Sequence, residues 1–222
     1  DPAAVEALWR RLANERLERW VGLAEDRLGS AGIRCYVSGG NDDLLEVMER
    51  LPVDGRAFIA CEASAVMLDE VHAMVSLPYV NPTPWRTPRE ASEEALAGMI
   101  EERIALLGGS LDRAILNFHA PPKDSTLDTC PRLDDSTDPP SQVVVAGQPV
   151  LHGAGSSAVR SAIERHQPLL GLHGHIHESA AIARLGRTLC INPGSQYGEG
   201  VLKGALLTLA DGKVEGYQLT TG

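Results

Sequence analysis

The chain has 222 residues, with 30 Asp and Glu against 20 Lys and Arg, which gives a formal net charge of −10. This balance disfavours a nucleic-acid binder, which needs a basic surface to displace phosphate counterions. It does not exclude an enzyme acting on small phosphate esters, because bound divalent ions reverse the local field. With 43% hydrophobic residues, the length predicts one globular domain over residues 1–222.

The cysteine pattern and the hydropathy indicate the compartment. Cys35, Cys61, Cys130 and Cys190 are scattered without a CxxC pair, which is typical of a reduced intracellular protein. The sequence contains neither an apolar run of about 18 residues nor a charged-then-apolar leader, so it predicts no membrane span and no signal peptide. We therefore expect a cytoplasmic protein without a membrane partner, and the sequence favours no particular oligomeric state.

The first half of the chain alternates helices with strands. Asp1 and Pro2 form a typical helix start, and Gly29 ends that helix. Leu8, Leu12, Trp20, Leu23 and Leu28 fall roughly on one face, as in an amphipathic helix. The remaining elements predicted here are a strand over 33–37, a short helix over 44–51, a strand over 58–60 and a strand pair over 66–68 and 73–77.

The second half ends in hairpins. Its predicted elements are a helix over about 89–107, a strand over 113–118, a proline-rich polar loop over 120–150, a helix over 156–166 and a strand over 169–173. Two hairpins follow, over 180–192 and 205–219, the second turning at Asp211-Gly212. Helices and strands that alternate and then give way to hairpins predict a layered mixed α/β fold.

Histidines and an asparagine occupy the ends of three predicted strands. His175 and His177 are two residues apart, a spacing that places both side chains on one face of an extended segment. His119 follows the strand over 113–118, and Asn41 follows the strand over 33–37. Because ligands gather at the carboxyl ends of strands in open α/β sheets, and neutral imidazole is a common metal ligand, these positions together indicate a metal site.

Each of these residues has a structural explanation when it is taken alone. A His-x-His pair arises by chance in a chain with 7 histidines, Asn41 could be an ordinary turn residue, and His119 could simply end its strand. It is the recurrence of ligand-type side chains at equivalent strand ends that favours metal binding.

Four short motifs resemble those of calcineurin-like metallophosphoesterases. They are Gly40-Asn41-Asp42-Asp43, Asn117-Phe118-His119, Gly174-His175-Ile176-His177 and Asn192-Pro193-Gly194-Ser195. Their order and spacing both fit the family, and the resemblance spans about residues 30–209.

The resemblance implies an α/β fold with four layers, α/β/β/α, and a dinuclear centre of two divalent ions such as Mn, Fe, Zn or Ni. By motif, Asn41, His119 and His175 would bind the second ion and His177 the first, with Asp42 as a catalytic residue. The activity implied is hydrolysis of a phosphomonoester or phosphodiester by a hydroxide that bridges the two ions, which lie about 3.5–4 Å apart in such sites.

The sequence departs from the family pattern in two places. The Asp-x-His and Gly-Asp-x-x-Asp segments that supply the bridging carboxylate do not occur before Asn41. We expect them in a strand-helix-strand portion upstream. The alternative is a catalytically degenerate scaffold that binds a protein partner; a nuclease on the same scaffold is disfavoured by the acidic charge. Asp42 stands where the family has His, and His173 or His152 could take over the role of acid.

Overall fold

The structure, a computed structural model, describes residues 1–109 and 111–222 and is built on one six-stranded mixed sheet. The strands of this sheet, in chain order, are β3 (Val66–Met67), β4 (Ala73–Leu77), β5 (Ile115–Phe118), β12 (Leu170–Leu172), β13 (Ala181–Leu185) and β14 (Thr188–Asn192). Across the sheet they lie in the order β13-β14-β12-β5-β4-β3. The four inner strands are parallel to one another, and the two edge strands run antiparallel to their neighbours.

One face of this sheet is covered by two helices, α3 (Glu93–Ala105) and α4 (Ser157–His166). Ser92 and Ser156 cap their N-termini by accepting hydrogen bonds from the third residue along, as the preferred N-cap residues do. Alternate strand residues face these helices and form the largest apolar cluster of the described chain, which includes Leu116, Phe118 and Ile100, all fully buried. We call this the helix-covered face.

The opposite face of the sheet is covered by strands. One cover is the parallel pair β1 (Cys35–Val37) and β2 (Phe58–Ala60); the other is the hairpin β15 (Lys203–Ala210) and β16 (Lys213–Thr221). Ile115 and Ile191 of the sheet pack here against residues of both covers, such as Tyr36 and Leu207. The two covers are separate two-stranded sheets. We call this the strand-covered face.

The first helix lies outside the strand-covered face. α1 (Pro2–Leu28) begins at Asp1, whose side chain accepts a hydrogen bond from the backbone N–H of Ala3. Leu17, Val21 and Ala24 pack with the β1–β2 pair and with α2 (Leu45–Met48). The apolar face expected from the sequence is not the buried one, because four of its members and two further apolar side chains are exposed. These exposed side chains are Val5, Leu8, Trp9, Leu12, Trp20 and Leu23.

The segment 120–150 is where the structure differs most from the sequence prediction of a long loop. It contains five short strands, and a sixth follows at once: β6 (Thr129–Pro131), β7 (Leu133–Asp134), β8 (Ser141–Gln142), β9 (Val144–Val145), β10 (Gln148–Pro149) and β11 (Leu151–Gly153). They pair antiparallel in three two-stranded ladders. The other predicted elements are present with bounds shifted by a few residues.

No helix within residues 1–109 and 111–222 is both long enough and apolar enough to cross a membrane. The described fold is mixed α/β, with four α-helices around a central mixed sheet.

Candidate metal centre

Three chain segments meet at the carboxyl ends of β1, β5 and β12. His119 follows β5 directly, and its backbone N–H donates to the carbonyl of Leu77 in the neighbouring strand. Gly174 continues the same alignment by donating to the carbonyl of His119. Asn41 approaches from β1 on the strand-covered face, so the site forms between two separately hydrogen-bonded parts of the fold.

The side chains of Asn41, His119 and His175 converge on one another. The Asn41 Oδ1 lies 3.0 Å from the Nε2 of His119 and 3.0 Å from the Nδ1 of His175. The two imidazole rings meet edge to face with centroids 5.5 Å apart. One amide oxygen and two ring nitrogens thus face a common point. We call these three residues the amide–histidine trio.

The electrostatics keep both imidazoles of the trio neutral. Burial, followed by the neighbouring His175 and His177, lowers the pKa of His119 to about 3. Burial and His177 lower the pKa of His175 to about 4, against a smaller opposing effect of Glu90. Neutral imidazoles have a free ring nitrogen lone pair, which is the form that binds metal ions.

Space at the trio is tight. A Cβ added at Gly40 would lie 2.8 Å from the Nε2 of His119, and one added at Gly174 would lie 3.3 Å from the same ring. The glycines that precede Asn41 and His175 therefore let two backbones approach the His119 ring closely.

His175 adopts an unusual backbone conformation, with a φ of 63°. The N–H of Ile176 donates to the carbonyl of Gly174, so His175 is the central residue of a positive-φ γ-turn, a rare and strained form. Conformations of this kind cost about 1–3 kcal/mol in non-glycine residues and cluster at functional sites. The turn directs the His175 side chain towards Asn41.

The Asn192-Pro193-Gly194-Ser195 motif supports this turn. The Asn192 side chain is fully buried, and its Nδ2 donates to the carbonyls of Gly174, Ile176 and Leu127 at 3.0–3.1 Å. The N–H of Ser195 donates to the carbonyl of His177. The motif therefore holds the backbone on both sides of His175, a role that its resemblance to a family motif does not specify.

The expectation that His175 and His177 share one face of an extended segment is wrong. The γ-turn breaks the strand geometry on which that expectation rested. His177 is exposed, and its ring contacts the ring of Tyr197 edge to face, with centroids 5.5 Å apart. Its influence on the pKa values of His119 and His175 still places it electrostatically beside the trio.

Asp42 lies in an exposed turn, and its side chain forms no hydrogen bond or ion pair with any residue in 1–109 and 111–222. The neighbouring Asp43 is the structural member of the pair, because its Oδ2 accepts from the N–H of Gly40. The catalytic role predicted for Asp42 therefore stays a prediction.

Sequence reasoning missed Arg89 and Glu62. Arg89 is almost fully buried, forms an ion pair with Glu62 at 3.0 Å and donates from Nε to the carbonyl of Asp43. Its backbone N–H donates to the carbonyl of Asn41, and Glu62 accepts from the N–H of Gly39. Together they stabilise the loop that contains Asn41 through hydrogen bonds to its backbone. A buried arginine of this kind gives no local sequence signal, because its partners are 27 and 46 residues away.

The two alternative acids face other surroundings. His173 is buried on the helix-covered side, where its Nδ1 lies within 3.0 Å of the carbonyls of Phe118 and Ala120. Burial lowers its pKa to about 4 despite those hydrogen bonds. His152 is exposed in β11, with its Nε2 3.7 Å from the Sγ of Cys130. Neither histidine is hydrogen-bonded to the trio.

A cavity of about 310 Å³ opens next to His119 on the strand-covered face. It lies where the carboxyl ends of β1, β5 and β12 come together. Its lining consists of Tyr36, Val37, Ser38, Gly39, Asn117, His119, Leu172, His173 and Gly174.

The donor set fits one divalent ion of the kind that accepts nitrogen and oxygen ligands. It comprises two neutral imidazoles and one amide oxygen, with the oxygen within hydrogen-bond distance of both rings. Within the described residues, no three His, Cys, Asp or Glu side chains converge in a metal-binding arrangement. The third member of the trio is an amide. No carboxylate of 1–109 or 111–222 joins the two histidines as a bridging ligand.

No protein-family model matches the chain, and neither does any curated protein sequence. One solved crystal structure superposes with a TM-score of 0.58 at 14% identity, over 96% of this chain and 73% of its own. Two others come from Thermus thermophilus. They are the protein TT1561 (TM-score 0.44, 18% identity, 75% of this chain and 59% of its own) and the sulfate thiohydrolase SoxB in complex with glycerol (0.35, 15%, 71% and 24%). The first likeness shows a shared fold.

Proposed function

We propose that this protein is a metal-dependent phosphoesterase of the calcineurin-like type that hydrolyses a small phosphomonoester or phosphodiester. The observation that carries the proposal is the convergence of the Asn41 Oδ1 on His119 and His175 at 3.0 Å each. These residues belong to three motifs, far apart in sequence, that resemble the family's. The proposal includes the four-layer α/β/β/α arrangement, with α3 and α4 outside the central sheet and α1 and α2 outside the second layer of strands.

In this proposal Asn41, His119 and His175 hold one divalent ion, and His177 is a ligand of a second. When bound, such ions supply Lewis acidity towards a phosphate oxygen and towards the attacking water. The chain's own residues contribute geometry. Buried, neutral imidazoles present lone pairs without charge repulsion, the γ-turn aims His175, and Asn192 fixes that turn.

Metal analysis and ester hydrolysis test the proposal together. After supplementation with Mn²⁺ or Zn²⁺ and removal of the excess, we expect at least one bound ion per chain. We expect hydrolysis of p-nitrophenyl phosphate or its bis ester to depend on that ion. His119→Ala and His175→Ala should abolish both binding and turnover, whereas His152→Ala, which changes an exposed histidine elsewhere, should retain both. Less than one ion per chain in the unmodified protein, or unchanged turnover in the two trio variants, would refute the proposal.

A second candidate is a phosphoesterase-like scaffold that binds a protein partner. Two observations favour it: the described residues place no carboxylate with the histidines, and α1 exposes a run of apolar side chains that includes Trp9 and Trp20. Large exposed apolar patches commonly mark interaction sites. This candidate predicts a folded protein with no metal-dependent turnover, so the same hydrolysis assay separates the two.

A further inference from the structure

The Asn41 amide makes hydrogen bonds on both of its ends. Its Oδ1 faces the two histidines, while its Nδ2 donates to the Oγ1 of Thr87 at 3.0 Å. Thr87 in turn donates from Oγ1 to the Oε1 of Glu90 at 2.8 Å. A continuous chain of hydrogen bonds therefore runs from the trio through a hydroxyl to a carboxylate.

We propose that Thr87 and Glu90 form a relay that determines which end of the Asn41 amide faces His119 and His175. The inference rests on the proposed function, since it concerns how the same site presents its oxygen to a cation. Thr87 and Glu90 are positioning residues here. Thr87 is hydrogen-bonded to Asn41, and Glu90 is hydrogen-bonded to Thr87 within the same loop, so both act on the site through Asn41.

The protons available to Thr87 and Glu90 fix the direction of each hydrogen bond in this chain. An ionised carboxylate only accepts hydrogen bonds, so the single Thr87 hydroxyl proton must point at Glu90. The Thr87 oxygen then offers only lone pairs to Asn41, and only the NH₂ end of the amide can use them. Because the two ends of an amide have nearly the same shape, this polarity is what selects the orientation with Oδ1 towards the rings.

Glu90 is well suited to the role of fixed acceptor. It also accepts from the backbone N–H of Thr87, from the N–H of Thr83 and from the Thr83 hydroxyl. Burial opposes ionisation, but these hydrogen bonds outweigh it, and the pKa of Glu90 lies below its ordinary value. The carboxylate therefore closes the loop over 83–90 and remains an acceptor at neutral pH.

The loop contains its own matched control. Thr83 and Thr87 both donate a hydroxyl hydrogen bond to the Oε1 of Glu90, but only Thr87 reaches Asn41. Thr87→Val should cut the relay while keeping the side-chain shape. Thr83→Val removes the same kind of bond without touching the relay, and Thr87→Ser preserves the relay.

The first measurement is made on the full chain without metal, labelled with ¹⁵N. The Asn41 side-chain NH₂ signals are identified by their loss in Asn41→Asp, and their hydrogen exchange is followed. We expect slow exchange in the unmodified protein, in Thr87→Ser and in Thr83→Val, and at least tenfold faster exchange in Thr87→Val. Equal acceleration in Thr87→Val and Thr83→Val, or none in Thr87→Val, would overturn the relay.

The second measurement is Mn²⁺ or Zn²⁺ affinity by calorimetry. Loss of a hydrogen bond that orients a ligand typically weakens metal binding by roughly 10–100-fold, so Thr87→Val should show that loss and Thr87→Ser should rescue it. If the unmodified protein binds neither ion, the proposed function fails while the exchange measurement still decides the relay. Should Thr87→Val not fold, Glu90→Gln replaces it. Gln can donate to Thr87 and so lets the amide turn, and unchanged exchange in that variant would equally overturn the relay.

Discussion

The two faces of the central sheet are covered in different ways. On the helix-covered face, α3 and α4 form one continuous apolar cluster with the strands. On the strand-covered face, two separate strand pairs share the covering, a cavity opens beside His119, and much of α1 is exposed. The candidate site lies at the boundary between the central sheet and the strands that cover it. His119 and His175 follow strands of the central sheet, and Asn41 follows β1 of the strand cover.

This difference indicates that the two faces have different roles, one in stability and the other in forming the site. The parallel ladder of β4, β5 and β12 is held by the helix-covered cluster, and it fixes the ends from which His119 and His175 project. The strand-covered face contributes Asn41, which is held by hydrogen bonds to Thr87 and Arg89. Changes on the first face should therefore act mainly on stability, and changes at the boundary mainly on the site.

The largest expected effect is the loss of stability in mild acid, which involves both regions. Burial lowers the pKa values of His119, His173 and His175 to about 3 or 4, below the unfolded value of about 6.5. The unfolded chain therefore binds more protons between these values. The contribution of these three histidines to the free energy of unfolding is present above about pH 6.5. It falls as the pH decreases, by roughly 2 kcal/mol per histidine at pH 5.

Urea unfolding between pH 7.5 and 5 measures this loss and locates it. His173→Gln removes the titrating group on the helix-covered face, so we expect a shallower decline of the unfolding free energy with acid. His152→Gln changes an exposed histidine and should leave the decline as it is in the unmodified protein. A free energy of unfolding that is constant from pH 7 to 5 would contradict the buried, neutral state of all three histidines.

The next largest effect compares the two apolar clusters directly. Ile100→Ala truncates a fully buried side chain of α3 and should cost about 2–5 kcal/mol of unfolding free energy. Leu207→Ala, at a half-buried position of the β15 strand, should cost about half as much, since less apolar surface is lost. Leu206→Ala on the exposed side of the same strand serves as the control. Equal losses for Ile100→Ala and Leu207→Ala in chemical denaturation would mean that the two faces are equally well packed.

Part of the fold could be predicted from the sequence. The buried strands, the final hairpins and the strand-end positions of Asn41, His119 and His175 follow from local patterns. The conformation of His175 could not be predicted, because the turn depends on Asn192 from another strand. The exposure of the apolar face of α1 also could not be predicted, because the periodicity of apolar residues identifies such a face but not whether another element covers it. The short ladders over 129–153 carry many polar residues and so lack the alternation that identifies strands.

A smaller effect is expected where the two regions are joined, at Asn192. Its amide donates to three carbonyls in a fully buried position. Asn192→Ala removes these three hydrogen bonds and the one that the N–H of Gly194 donates to the Asn192 Oδ1, so we expect a loss of about 1–3 kcal/mol of unfolding free energy. Because two of the carbonyls flank His175, metal affinity should fall further than in Ile100→Ala, although the stability loss is smaller. If the two variants lose affinity in proportion to their stability, Asn192 has no specific role in holding the turn.

The smallest effect tests whether α1 belongs to the same cooperative unit as α3. Gly22 of α1 and Gly98 of α3 are both exposed within helices, and a Cβ added at either meets no atom within 4 Å. Replacing an exposed helical glycine by alanine typically stabilises a protein by about 0.5–1 kcal/mol. Gly98→Ala should show this gain in global unfolding, because α3 packs into the main cluster. Gly22→Ala should show the same gain only if α1 unfolds together with the sheet. A gain for Gly98→Ala alone would mean that α1 unfolds before the rest, so that the strand-covered face is the less stable side of the molecule.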